Sequence, residues 1–573
     1  MTLMFGLLVY RLAEIQILRG DELARRARRY HAFERTLQAP RGRILDRNGN
    51  VLAESVPVKS LEVRPHRIDD RGEAARRLAP ILGRSEQELL ARISGDVRYV
   101  LLHDGIESNE VIGELEETIR DLDRRGVRGI DLHDRWRRYY PFGRELAHVL
   151  GFVGRDGKGL EGVEARFDDR LTGEPGLETV ERDGRTRPFY SASLDRRDPV
   201  PGDDVQLTID TIVQHFLERE LERTVREYDA ECAAGVVVSP RDGRLLALGS
   251  HPGFDPNQPF RDPETRERLS PDRWRNRCVT DAFPPGSTFK AFTLAAALEA
   301  GTVRIDETID CEDGAWRYLG RVVHDVHPTG KVPVPDVLVR SSNIGAAKIG
   351  LTVGEAFLRP FVLRMGFGQR TGIRLSGEGF GHVTSARDWT EAYTSVSVSF
   401  GQEISATPIQ LALAFSAIAN GGWLFAPRLV ERLVRPDGEE DRLVLPAPRR
   451  VLRPDVAEQV RDVLVRVVEE GSGQPARIPG YRVAGKTGTA ERIVGRRKDG
   501  YISTFVAFAP ARNPAVCVLI TVYRPRKAHY ARVVAAPFVG RVLADTLAHL
   551  GIPPDPDIAV DPLVGRAVTA RQP

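Results

Sequence analysis

The sequence predicts an α+β chain, in which an antiparallel sheet covered by helices occupies residues 201–553 and an elongated unit over residues 20–200 precedes it. Three observations carry this prediction. At 573 residues the chain exceeds one ordinary domain, and it reads as two units plus a tail. Strand signals stand at the start of the second unit, Gly235–Val238 and Leu245–Leu248, and return at its end, Tyr481–Ala484, Ser503–Ala509 and Ala515–Tyr523. Helical segments fill the space between them, so the sheet has to be closed by pairing distant stretches of chain.

Taken in order, Leu3–Tyr10 is apolar, but Arg11 and Glu14 interrupt it well before the roughly twenty residues that span a bilayer. No basic segment precedes it and no small-residue cleavage site follows, so it does not read as a secretory signal. The expectation is that residues 1–19 are the remnant of a transmembrane helix whose start lies upstream of Met1; the alternative is a short amphipathic lead-in helix. Gly20–Arg35 reads as a charged helix. Ala39–Leu52 has hairpin grammar, with Asn48-Gly49 as the turn between two short apolar strands. Glu73–Leu82 and Ser85–Ile93 are helical runs in an insert over residues 70–125, and Gly154–Gly162 is a glycine-rich loop.

The second unit begins near Pro201, where Asp210 is a cap for a helix carrying Ile212, Phe216, Leu221 and Val225 on one stripe. Arg241-Asp242-Gly243 turns between the first two strands, and a last helix runs from Ala536 to Leu550. Residues 554–573 contain proline, carry little pattern and read as a flexible tail.

Charge is high but balanced, at net +3, with arginine far outnumbering lysine. No single-sign field points to nucleic acid, so a neutral or peptide-like partner is expected. Cys232, Cys278, Cys311 and Cys517 show no metal-like or redox-like spacing and read as buried free thiols.

Chemistry enters at Pro284-Pro285-Gly286-Ser287-Thr288-Phe289-Lys290. Ser287 opens the apolar run Phe289, Phe292, Leu294, Ala295, Leu298, and Lys290 lies three residues on, so a hydroxyl and an amine share a helix face within expected hydrogen-bond reach. A hydroxyl needs a base to become a nucleophile, and a desolvated, neutral lysine can be that base. Taken alone the pair is weak, and a serine that only caps the helix is the leading reading of these residues. Two further clusters change the balance: Ser341-Ser342-Asn343, otherwise a helix cap, and Lys486-Thr487-Gly488-Thr489, otherwise a polar turn.

Three such motifs, in this order and about fifty and then one hundred and fifty residues apart, resemble the signature of penicillin-binding proteins and serine β-lactamases. The resemblance implies the penicillin-recognising fold. It also implies Ser287 as nucleophile, Lys290 as general base, and Lys486 as a second cation that helps to keep Lys290 neutral. By the same resemblance Ser341 passes a proton to the leaving amine, and Asn343 holds Lys290 and the substrate amide. The amides of Ser287 and Thr489 form an oxyanion hole, whose donors are typically worth roughly 3 kcal/mol each. Thr487 and Thr489, with Gly488 between them, bind the substrate's terminal carboxylate. No metal or organic cofactor is implied.

Arg41, Gly42, Asp46 and Gly49 in the hairpin are similar to the opening motif of the class B enzymes. Tyr139-Tyr140-Pro141 leading to Ala147–Gly151, and Gly162-Val163-Glu164 leading to Leu171-Thr172-Gly173, look like that class's later segments. Residues 20–200 are thereby identified as its dimerisation, or pedestal, domain. The implied activity is D,D-transpeptidation: attack on stem peptides ending in D-Ala-D-Ala, crosslinking of peptidoglycan, and inhibition by β-lactams. The implied place is the cytoplasmic membrane, single-pass, with the catalytic domain outside; the implied partners are a polytopic glycosyltransferase and divisome proteins. Arg275–Asp281 and Ser55–Lys59 look more like the division-specific, penicillin-binding protein 3-like branch than the elongation-specific one.

Two departures and three rivals complete the reading. His324, Asp325 and His327 lie just ahead of Ser341, and some elongation-type relatives carry zinc nearby, but the cysteine that site uses is Ser342 here; a solvated loop is expected. Glu403, in Ser399–Glu403, stands where relatives have glycine, and capping of the following helix is the expected role. A β-lactamase, carboxypeptidase or lactam sensor shares the catalytic fold, but no deacylating glutamate is evident between Asn343 and Lys486, and the pedestal is foreign to a β-lactamase. Residues 20–200 lack the acidic motifs of a glycosyltransferase. An inert scaffold of the wall machinery conflicts with three intact motifs.

Overall fold

The computed structural model describes residues 2–19, 32–95, 97–182, 188–189, 195–495 and 497–558. Its second unit is built on a five-stranded antiparallel sheet in the order Leu245–His251, Cys232–Val238, Val516–Tyr523, Arg497–Ala509, Ala484–Val494. The two strands Cys232–Val238 and Val516–Tyr523 are buried at every residue, which is why they read as near-continuous apolar runs interrupted by the buried Thr521. Alternate residues feed two cores. Ala233, Val237, Val518, Ile520 and Phe505 meet the helices Thr211–Tyr228 and Ala536–His549 on one face. Ala234, Val236, Leu519, Val506 and Phe508 meet the helices Lys290–Ala300 and Pro408–Ala419 on the other.

Asp210 caps the helix Thr211–Tyr228, accepting from the amides of Ile212 (3.1 Å) and Val213 (3.4 Å). The buried line is Val213, Leu217, Leu221, while Ile212 is exposed and Phe216 only half-buried. Of the expected stripe, Leu221 is buried and Val225 packs against the same core, whereas Ile212 and Phe216 lie one residue off the buried line. Apolar side chains occupy two neighbouring lines of this helix, and the sheet beneath selects one of them. The last strand group also differs: Tyr481 makes only an isolated bridge to Ile478, and the strand begins at Ala484.

The first unit hangs on the long strand Val51–Val63, which pairs with Ile44–Leu45, Val100–Ile106 and, over its whole distal length, Ile130–Tyr139. The helices Arg71–Leu82, Glu86–Ile93 and Asn109–Arg124 cover it through Leu78, Leu89, Leu115 and Leu122. In the connecting turn Asp46 accepts from the amides of Asn48 (2.8 Å) and Asn50 (2.9 Å), and Gly49 takes a φ of 88° that other residues resist. Asp46 is fully buried and also accepts from the Thr211 hydroxyl at 2.6 Å.

Ile44–Leu45 pairs in parallel with Asp204–Leu207, which in turn pairs with Val430–Val434. One sheet thus runs through the boundary expected at residues 200 and 201. A buried ionic cluster lies beside it. Glu164, with no exposed surface, binds Arg41 Nε at 2.6 Å and Arg138 Nε at 2.6 Å, and Arg41 reaches Asp168 at 2.6 Å.

At the N-terminus a helix Thr2–Ala13 continues into a wider turn Glu14–Leu18, with Phe5, Leu8, Tyr10, Ile17 and Leu18 exposed. Among the described residues no helix is long and apolar enough to cross a membrane. The charged helix expected over Gly20–Arg35 falls mostly outside the described residues. Its last part is instead the strand Ala32–Leu37, recruited by the edge of Gly176–Arg182. The flexible tail expected from residue 554 is held further than that. Asp555 donates its amide to Gly480 O (2.8 Å) and accepts from the Arg482 amide (2.6 Å), just ahead of the strand Ala484–Val494. The rest of the tail, from residue 559, lies outside the described residues. All four cysteines are buried and unpaired.

Candidate active site

Gly286–Phe289 forms a single 3-10 turn that runs into the helix Lys290–Ala300. Two glycines hold this turn. Gly286 has a φ of 54° and donates to Gly401 O at 3.0 Å; a Cβ on Gly401 would lie 2.0 Å from Gly286 O. From the other side, a Cβ on Gly488 would lie 2.6 Å from Pro285 O. No side chain fits at either contact, so the glycine of the third motif is required by the approach of its strand to the turn. The Ser287 side chain caps nothing, which removes the purely structural reading of that residue.

Lys290 is fully buried. Its Nζ donates to Ser341 O (2.6 Å), Asn343 Oδ1 (2.8 Å) and Ser341 Oγ (3.3 Å). The direct bond to Ser287 expected from their spacing is not among its hydrogen bonds. A four-carbon stem reaches past its own turn, and the middle motif offers three acceptors where Ser287 offers one. Lys486, also fully buried, donates to Ser341 Oγ at 3.1 Å and to Thr487 O at 3.2 Å. The Ser341 hydroxyl therefore joins two buried amines. Ser341 does this from a left-handed backbone, φ 59°, which costs a non-glycine residue about 1–2 kcal/mol.

Burial, and after it the charge of Lys486, holds Lys290 well below the ordinary lysine range; Asp325 and Cys311 act in the opposite direction. Burial alone pushes Lys486 down to about 7. The site thus contains an amine that burial and a cationic neighbour press toward neutrality.

Ser342 caps the helix Asn343–Val353, accepting from the Gly345 amide at 2.9 Å, as the capping alternative for this tripeptide would have it. Ser341 and Asn343 beside it face the lysines. Asp325 binds the same helix start: it accepts from Ser342 Oγ (2.5 Å) and from the amides of Asn343 and Ile344 (3.0 Å for the latter). The solvated loop expected at His324–His327 is thereby corrected for Asp325, while the two histidine side chains are exposed. No group of three metal-ligating side chains occurs among the described residues.

Lys486–Thr489 lies inside the edge strand Ala484–Val494 and is not a turn. Strand alternation puts Lys486 and Gly488 on the side of the turn Gly286–Phe289 and Thr487 and Thr489 together on the other. Thr487 Oγ1 is 2.6 Å from Ser472 Oγ, and Thr489 Oγ1 accepts from the Ala531 amide at 3.1 Å. Ser472 was missed in the sequence because it stands in no motif, and Asp325 was read there only as part of a loop with His324 and His327, not as a partner of Ser342 and Asn343. A glycine on each side of Ser472 was the one available signal; a Cβ on Gly471 would lie 2.7 Å from Val339 O. Tyr501, His529 and Tyr530 stack beside the same strand, at 4.1 and 4.4 Å between ring centres.

Glu403 does not cap the following helix. Thr407 and Gln410 do so reciprocally, and Glu403 stands exposed at a φ of 55°, the conformation for which glycine is suited. The geometry as a whole suits acyl transfer: a half-buried hydroxyl on a rigid turn, a buried amine, and a second hydroxyl that links this amine to another.

The chain matches the model of the penicillin binding protein transpeptidase domain over residues 233–544 and that of the penicillin-binding protein dimerisation domain over residues 36–207. It is 33% identical over 574 residues to stage V sporulation protein D of Bacillus subtilis, covering 96% of this chain and 86% of the relative. It is 30% identical over 564 residues to peptidoglycan D,D-transpeptidase FtsI of Escherichia coli K12, covering 96% and 91%. Among solved structures, penicillin binding protein 3 of Mycobacterium tuberculosis in complex with aztreonam superposes with a TM-score of 0.69 at 25% identity, over 92% of this chain and all of that one.

Proposed function

Because the chain belongs to the penicillin-binding protein transpeptidase family, with that family's dimerisation domain ahead of the catalytic one, we propose that it crosslinks septal peptidoglycan through an acyl-enzyme on Ser287. The observation that carries this reading is the Ser341 hydroxyl shared by the buried amines of Lys290 and Lys486.

Neutral Lys290 takes the Ser287 proton as Ser287 Oγ attacks the carbonyl carbon of the penultimate D-alanine. The oxyanion lies against the amides of Ser287 and Thr489. When the tetrahedral intermediate collapses, the C–N bond to the terminal D-alanine breaks. The proton passes from Lys290 through the Ser341 hydroxyl to the leaving nitrogen, and free D-alanine departs. An amine of a neighbouring stem peptide then attacks the ester, gives up a proton along the same route in reverse, and expels Ser287 Oγ, which recovers its own. Thr487 and Thr489 hold the terminal carboxylate of the donor, with Ser472 fixing the rotor of the Thr487 hydroxyl. β-Lactams enter the first half of this sequence and stop there.

The N-terminal segment, whose Phe5, Leu8, Tyr10, Ile17 and Leu18 are exposed, sits in the cytoplasmic membrane, with the catalytic domain on its outer side. A polytopic glycosyltransferase and other division proteins are the partners this placement offers to the pedestal.

Labelling with a fluorescent penicillin tests the chemistry. The native chain should take a stable label and Ser287→Ala none; a labelled Ser287→Ala means the nucleophile is another residue, and fast spontaneous loss of label from the native chain means a hydrolase. Depletion in the host tests the septal role: filaments are expected, and rounded cells would assign the chain to elongation.

A further inference from the structure

We infer that Asp325 is a positioning residue that sets both the orientation of Asn343 and the charge balance around Lys290, an inference that rests on the acyl-enzyme reading above. Asp325 follows the strand Arg321–His324, which pairs with Ala315–Tyr318 in a two-stranded hairpin. That hairpin is anchored away from the catalytic motifs. Tyr318 donates its hydroxyl proton to Glu391 at 2.8 Å, and Arg321 donates to Ser397 Oγ at 2.7 Å.

From this anchored end two consecutive residues grip the middle motif. The Asp325 carboxylate takes the Ser342 hydroxyl and the amides of Asn343 and Ile344, so three donors at the start of one helix converge on one anion. His324 O takes Asn343 Nδ2 at 2.9 Å. With its NH2 engaged there, the Asn343 amide has one orientation left, in which Oδ1 faces Lys290 Nζ at 2.8 Å. The same grip borders Ser341, whose left-handed backbone needs support from its neighbours.

The groups that bear electrostatically on Lys290 come from three elements. Lys486 comes from the edge strand, Asp325 from the end of the hairpin, and the Cys311 thiol from the turn after Thr308–Asp310. The remaining contacts are neutral: the carbonyl and hydroxyl of Ser341 and the side-chain amide of Asn343. Asp325 is the carboxylate in this set, and its charge opposes that of Lys486. The amine that must be neutral to act as base is thus held between a cation that favours loss of its proton and an anion that favours retention. A group that only held the loop would not need to be charged.

The test is the pH dependence of Ser287 acylation by penicillin in the full chain, comparing native protein with Asp325→Asn and Asp325→Glu. Asp325→Asn keeps an oxygen for the helix amides and removes the charge. Its rate near about pH 6, relative to that near about pH 8, is expected to rise roughly tenfold over the native ratio, because Lys290 sheds its proton more readily. Asp325→Glu keeps the charge and is expected to retain the native ratio, even where imperfect geometry lowers both rates. A native ratio in Asp325→Asn, or a shifted ratio in Asp325→Glu, overturns the inference. Failure of the native chain to take label at any pH would instead overturn the acyl-enzyme reading on which it rests.

Discussion

Two buried charged clusters in this molecule are built on opposite principles. In the pedestal, Glu164 sits between Arg41 and Arg138 with Asp168 close by, so each buried charge has a partner of the other sign. In the catalytic unit, Lys290 and Lys486 are buried against a shared hydroxyl, without a carboxylate in salt-bridge contact with either among the described residues. Paired charge holds a structure in place, and breaking such a pair is costly. Buried like charge does the reverse. It strains the fold but supplies amines that can change protonation state near neutral pH. The difference separates the part of the chain that supports from the part that reacts.

The largest effect expected is at the reactive cluster. Lys290→Ala should lower the rate of acylation by roughly 10²–10⁴-fold, the contribution typical of a positioned general base, measured by stopped-flow labelling with a fluorescent penicillin. A fall of less than tenfold would mean that another group takes the Ser287 proton. At the paired cluster, Glu164→Ala should leave two guanidinium groups buried without their anion and cost about 3–5 kcal/mol of stability by urea unfolding. A cost below about 1 kcal/mol would show that water or Asp168 compensates and would erase the contrast.

Lys486→Met reverses the sign. It should abolish productive acylation yet raise stability by about 1–2 kcal/mol at about pH 6, because a buried amine is replaced by an apolar chain of similar length. The pH dependence follows from linkage. Lys486 is pushed down to about 7 in the folded chain, below its unfolded value near 10.4, so the unfolded chain binds more protons between those values and stability rises with pH across that window. Below about 7 both states are protonated and the burial penalty is fully present. The variant should therefore gain most in acid and progressively less toward alkaline pH, which thermal melts at several pH values would check. A gain independent of pH would mean that packing and not charge is responsible.

The smallest effect is at Ser472. Loss of its hydroxyl in Ser472→Ala should raise the KM for a carboxylate-bearing depsipeptide donor about three- to tenfold while changing kcat little, the result of removing one net hydrogen bond beside Thr487. Equal loss in kcat would move Ser472 from substrate binding into the chemistry.

Much of the reactive cluster was legible in the chain because its motifs are local. Pro-Pro-Gly ahead of Ser287, the two-residue gap from Ser287 to Lys290, and a Lys-Thr-Gly-Thr run are each contained in a handful of residues. Where two of these runs meet, the need for glycine follows from contact, at Gly488 against Pro285 and at Gly401 against Gly286. Asp325 and Ser472 escaped for the complementary reason. Each acts at a motif that lies more than a dozen residues away, and its local sequence, glycines around Ser472 and histidines around Asp325, does not point to that motif. The same limit explains the error at Ile212 and the strand mistaken for helix at Ala32–Leu37, where the choice belongs to the neighbouring sheet.

The sequence by itself determined which residues are available for chemistry, that the sheet joins both ends of the catalytic unit, and that a pedestal precedes it. Periodicity and turn residues carry the sheet over short spans, while the pedestal and the site residues come from the resemblance of their motifs to a known family. Only the tertiary structure decided that Lys290 turns from Ser287 toward Ser341, that Ser341 adopts a left-handed backbone between two amines, and that Asp325 binds the helix start beside Ser341. Those are matters of burial and distance between segments remote in the chain, and protonation at this site depends on burial and distance.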